Sequence, residues 1–126
     1  MTVLDASALL AFLLGEPGAQ MVAPLLAESC LSTVNLAEVI GQFERQGRSG
    51  AGLAEQLILA GVELVPFSVA EAELAAALLP QTRAAGLSLG DRACLALALA
   101  RGVRVLTADR AWAGVSLGLT IRFIRP

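Results

Sequence analysis

Two aspartates stand where a parallel sheet would present a ligand. Asp5 directly follows the apolar run Thr2-Val3-Leu4, and Asp109 follows Val103 to Leu106 by way of Thr107-Ala108. Ligands of open parallel sheets bind beyond the carboxyl ends of the strands. Either aspartate alone reads equally well as a turn or helix-capping residue; two at strand ends of one sheet favour a shared site. Asp91 lies three residues after Ser88, the spacing of a capping box at the positive end of a helix. That helix start should open toward the same strand ends. Glu38 is about 200° around the helical wheel from Leu36, opposite the stripe Leu36, Val39, Ile40 and Phe43. Solvent exposure is the ordinary reading of such a glutamate, yet its own face carries Val34, Ala37 and Gly41, and the pattern leaves its role open.

If the four acids converge, electrostatics dictates the chemistry. Two carboxylates about 4 Å apart repel by roughly 4 kcal/mol at an effective dielectric of about 20. Several such pairs strain a typical stability margin of about 5–15 kcal/mol, so some carboxyls are protonated or a cation neutralises them. An all-oxygen ligand set selects Mg²⁺ or Mn²⁺, ions that orient a phosphate and activate water. The rest of the composition points the same way. The chain has no His and no Tyr, and all nine basic residues are Arg. Histidine bases, Ser-His-Asp and Cys-His nucleophiles, Cys/His zinc sites, Schiff-base lysines and the lysine-bearing phosphate loop are therefore excluded.

The elements that must position these acids follow from periodicity and punctuation. Strands are expected at Thr2 to Leu4, Cys30 to Ser32, Val62 to Phe67, Val103 to Leu106 and Thr120 to Ile124. Helices are expected from Ser7 to Leu14, Ala19 to Glu28, Thr33 (as cap) to Gln46, Gly50 to Ala60, Ser68 (as cap) to Ala85, and Ser88 to Arg101, closed by Gly102. Strands alternating with helices imply βαβ units, hence an α/β fold whose short, mostly parallel sheet carries helices on both faces. No repeat or linker interrupts the 126 residues, so one domain, 1–126, is expected.

Composition bounds the setting. The chain is 56% hydrophobic, with mean hydropathy +0.73. Its longest uncharged stretches, between Glu16 and Glu28 and from Ala111 to Ile121, run eleven residues each. A spanning helix needs about 20, so the expectation is a soluble protein with a large core and no membrane role. Ala8 to Leu14 resembles a signal-peptide core, but the segment before it carries Asp5 and no basic side chain. Cys30 and Cys94 sit in apolar contexts without CxxC spacing and read as buried free thiols of a reducing cytoplasm. Net charge is −2. With four of the eleven acids gathered in one site, seven remain against nine arginines. An RNA substrate is therefore compatible with the charge if arginines cluster.

The sequence resembles the PIN-domain ribonucleases, specifically the VapC-type toxins of bacterial toxin–antitoxin pairs. The matching segments are Val3-Leu4-Asp5-Ala6-Ser7-Ala8-Leu9-Leu10, then Ser32-Thr33-Val34-Asn35-Leu36-Ala37-Glu38-Val39. After them come Leu87-Ser88-Leu89-Gly90-Asp91-Arg92-Ala93-Cys94-Leu95-Ala96-Leu97-Ala98, then Gly102-Val103 and Val105-Leu106-Thr107-Ala108-Asp109. Each is weak alone; their order and spacing cover nearly the whole chain. The resemblance implies a three-layer α/β/α sandwich and an acidic quartet at Asp5, Glu38, Asp91 and Asp109, with Ser7 and Thr107 as supporting hydroxyls. It further implies Mg²⁺- or Mn²⁺-dependent RNA cleavage, a homodimer and a cognate antitoxin.

Arg92 and Arg110 flank two of the acids and are candidates for RNA phosphate contact, a solvated or salt-bridged role being equally open. Arg45 and Arg48 read as a solvated helix end, and Trp112 as a core or dimer-interface anchor. Two other functions are compatible with parts of this pattern. In a non-catalytic protein-binding module the carboxylates only cap helices and the apolar surface docks a partner. In an aspartyl phosphatase or phospho-acceptor domain Asp5 is the nucleophile, which the lack of lysine and of a second acid at position 7 disfavours.

Overall fold

Period-2 alternation along three short strands separates two cores, and the architecture follows from it. A computed structural model describes residues 1–126. Strands β1 (Thr2–Leu4), β2 (Ser29–Ser32), β3 (Glu63–Val65), β4 (Arg104–Thr107) and β5 (Ile121–Phe123) form one sheet in the order β3-β2-β1-β4-β5, every pairing parallel. Leu4, Leu31 and Leu106 point into one core; Val3, Cys30 and Val105 point into the other. Central parallel strands are covered on both faces, and all six of these residues are fully buried.

One face carries α1 (Ala6–Leu14), α2 (Ala19–Val22), α3 (Thr33–Arg45) and α4 (Leu53–Leu59). The opposite face carries α5 (Val69–Ala77) and α7 (Leu89–Arg101), with the short α6 (Leu79–Thr82) between them in sequence. The result is the three-layer α/β/α sandwich expected above. From β1 the chain steps outward through β2 to β3, then returns across the sheet to β4. The direction of winding therefore reverses between β1 and β4, the position at which such sheets open a crevice.

The departures from the expected elements have local causes. Ala19 to Glu28 is α-helical only to Val22 and continues as a 3₁₀ turn over Ala23–Glu28, because Pro24 has no N–H to extend the α-helical ladder. Pro80 acts similarly on the helix expected to reach Ala85, which breaks at Leu78 between α5 and α6. Ser32, rather than Thr33, caps α3 by accepting from Val34 N at 3.2 Å. The Thr33 hydroxyl instead accepts from Phe67 N at 3.1 Å, just beyond β3, which Pro66 keeps short. The helix expected over Gly50 to Ala60 spans only α4, since Gly52 (φ 79°) precedes it in the left-handed conformation. Both cysteines are buried and free, and Trp112 is core, 1% exposed. No single helix is long and apolar enough to cross a membrane.

Candidate active site

The β1–β4 register aligns Leu4 with Leu106, and this places Asp5 beside Thr107. Asp5 leaves the end of β1 in extended conformation and caps α1, its Oδ1 accepting from Ala8 N at 2.8 Å. Two hydroxyls complete its surroundings. Ser7 Oγ lies 2.7 Å from Oδ1, and Thr107 Oγ1 donates to Oδ2 at 2.5 Å. Each hydroxyl also accepts a backbone N–H, Ser7 from Ala108 at 2.9 Å and Thr107 from Asp109 at 3.0 Å. Their own protons are thereby directed at Asp5. The carboxyl is only 3% exposed. Burial pushes its pKa up to about 6, against the lowering effect of the bonds from Thr107, Ala8 and Ser7, and the charge of Asp91 raises it further.

The other three acids surround this corner on different elements. Asp109 caps the 3₁₀ turn Arg110–Gly114, Oδ1 accepting from Ala111 N at 2.9 Å. Asp91 sits in the first turn of α7 in the capping box read from the sequence. Ser88 N donates to Asp91 Oδ2 at 2.9 Å, and Asp91 N donates to Ser88 Oγ at 3.2 Å. Glu38 is exposed on α3, one turn beyond Asn35, whose Nδ2 donates to Glu38 Oε1 at 2.8 Å and to Gly90 O at 3.0 Å. Asn35 is 1% exposed and ties α3 to the start of α7. Gly90 leaves room for the glutamate: a Cβ there would come within 2.5 Å of Glu38 Cδ. A side chain at position 90 would therefore displace Glu38.

All four acids line one cavity of about 260 Å³ at the switch point, together with Ser7, Gln42 and Arg45. Neither of the chain's two salt bridges, Arg101–Glu63 and Arg125–Glu16, involves them. No three of the carboxylates stand at metal-ligand spacing from one another. Neutral donors hold each at its own corner, and their like charges favour that separation. The donor chemistry nonetheless suits a hard divalent cation. Asp91 Oδ1, Asp109 Oδ2 and Glu38 Oε2 are free of hydrogen bonds. Every available ligand is oxygen, and no imidazole or thiolate reaches the cavity.

Arg92 and Arg110 do not line this cavity. Arg92 follows Asp91 by about 100° around α7, which turns it toward α5, where Nη1 donates to Ala75 O at 3.0 Å. Arg110 lies 4.1 Å over the Phe123 ring. Arg45, read from the sequence as a solvated helix end, is the arginine that does line it. Its signal was the i, i+4, i+7 stripe Glu38, Gln42, Arg45. The bond from Asn35 to Glu38 is local, at i, i+3 on α3, but the bond from Asn35 to Gly90 and the room Gly90 leaves had no comparable signal, since both depend on a neighbouring helix.

A family model described as PIN domain matches residues 2–116. No curated protein matches the chain by sequence. Several solved structures share the fold. A toxin–antitoxin complex from Klebsiella pneumoniae superposes with a TM-score of 0.67 at 20% identity, covering 96% of this chain and 100% of that one. FitAcB from Neisseria gonorrhoeae gives 0.68 at 21% identity, covering 97% and 96%. VapBC2 from Rickettsia felis, bound to a promoter DNA fragment, gives 0.68 at 17% identity, covering 97% of each chain.

Proposed function

Since the chain belongs to the PIN-domain family, a family of nucleases, we propose that it is a Mg²⁺- or Mn²⁺-dependent endoribonuclease and the toxin of a toxin–antitoxin pair. The observation that carries this reading is the convergence of Asp5, Glu38, Asp91 and Asp109 on one cavity with no cationic partner within salt-bridge distance. A bound divalent ion supplies the electrophile that polarises a phosphodiester and acidifies water. Asp5, Asp91, Asp109 and Glu38 would hold it after drawing closer than they stand here, the last three having one carboxylate oxygen each left free by their capping and amide bonds. Asp5 lies deepest. Its three donors, Ser7, Ala8 and Thr107, keep the carboxylate oriented, and a cation beside it would favour the ionised form that burial opposes. Asn35 and Gly90 set the position of Glu38, while Ser7 and Thr107 set that of Asp5.

The similar structures that are toxin–antitoxin or VapBC assemblies support an antitoxin protein as partner. A homodimer acting in the cytoplasm, where two free thiols stay reduced, completes the reading. Cleavage of end-labelled RNA tests it. Products are expected with Mg²⁺ or Mn²⁺ and none in excess chelator; undiminished cleavage in chelator refutes the metal mechanism.

A further inference from the structure

We propose that Arg45, held by Gln42, is the phosphate anchor of this cavity, contacting a backbone phosphate of single-stranded RNA beside the acidic centre. The inference rests on the nuclease reading and adds the group that binds the substrate's charge. Glu38, Gln42 and Arg45 lie on one stripe of α3, and all three line the cavity. Side chains on a helix lean toward its N-terminus, so Arg45 reaches back along this stripe toward Glu38.

What sets Arg45 apart is that it alone of the arginines lines the cavity and that its guanidinium is not neutralised there. An arginine beside four acids ordinarily forms an ion pair, but no carboxylate lies within 4.0 Å of Arg45. Its Nη1 donates instead to the neutral Gln42 Oε1 at 3.0 Å. One of five N–H groups is thus engaged and the planar fork stays charged, the form that recognises phosphate oxygens. Five other arginines are committed elsewhere, and Arg48, Arg83 and Arg122, though uncommitted, do not line the cavity. Arg101 and Arg125 are in ion pairs, Arg92 is on the Ala75 carbonyl, Arg104 is on Thr2, and Arg110 is over Phe123. Four acids against Arg45 leave the lining at a formal −3; one divalent ion brings it to −1. A polyanion entering such a cavity needs a fixed cation at its edge, and Arg45 is the side chain there that supplies one.

The test is fluorescence anisotropy of a labelled single-stranded RNA in Mg²⁺, on an Asp5→Asn background that prevents cleavage. Arg45→Ala and Arg45→Gln are expected to weaken binding about fourfold at ~0.15 M salt, and to lower the slope of log affinity against log salt by about 0.7, the contribution of one single-strand phosphate contact. Arg45→Lys should keep the slope, and Arg110→Ala should leave both quantities unchanged. Unaltered affinity and slope in both Arg45→Ala and Arg45→Gln, with thermal midpoints matching the parent, would overturn the assignment. The two readings fail separately. Wild-type cleavage by Arg45→Ala at unchanged KM removes the anchor and leaves the nuclease. Arg45-dependent binding without cleavage by the wild-type chain removes the nuclease and leaves the anchor.

Discussion

Asp5 and Asp109 share a local design and differ in almost everything else. Each leaves the carboxyl end of a strand, the two strands being paired neighbours, and each caps the helical turn that follows. Asp109 is half-buried and accepts one backbone bond. Asp5 is 3% exposed, accepts from Ala8 and two hydroxyls, and is pushed up to about 6 by burial. A similar capping role therefore falls to one acid that is half-exposed and to another whose charge is made costly by burial. What distinguishes them is depth in the crevice between β1 and β4, which no cap specifies.

The comparison breaks most readily at the level of activity. Asp5→Asn is expected to lower RNA cleavage about a thousandfold, equivalent to roughly 4 kcal/mol of transition-state stabilisation, and Asp109→Asn substantially less. Equal losses in a single-turnover assay would mean that depth is irrelevant to catalysis.

Stability against pH sharpens the contrast. The pKa of Asp5 in the folded chain lies above its ordinary value near 3.8, so the folded chain retains a proton that the unfolded chain releases between about 3.8 and 6. Its contribution to stability is accordingly largest at low pH, falls as pH rises through that window, and is level above it. Chemical denaturation in chelator should show this contribution, about 3 kcal/mol in total, disappear in Asp5→Asn and persist in Asp109→Asn. A wild-type and Asp5→Asn difference that is flat with pH would contradict the burial argument.

A smaller effect is expected at the residue joining the two aspartates. Thr107 Oγ1 donates to Asp5 and accepts from Asp109 N. Thr107→Val removes both bonds at nearly constant volume and should cost about 1–2 kcal/mol, measured by urea denaturation, while raising the Asp5 pKa further. A neutral substitution would indicate that the aspartates are positioned independently.

Much of this was legible in order along the chain. Short apolar runs marked the strands and their parallel pairing. Ser88 and Asp91 announced their capping box, and the lack of His, Lys and Tyr narrowed the chemistry to carboxylates and a cation. The prolines at 24 and 80 were visible too, but the helices were read through them, and the structure tightens or breaks both. The boundary between the legible and the hidden is one of contact range. A cap joins residues two or three positions apart, so its pattern survives in the linear sequence. The bond from Thr107 to Asp5 spans 102 positions and that from Asn35 to Gly90 spans 55. Only the packed sheet and its facing helices bring those pairs together. Tertiary structure therefore decided which aspartate is buried, what ties Asn35 and its neighbour Glu38 to the start of α7, and that Arg45 rather than Arg92 faces the cavity.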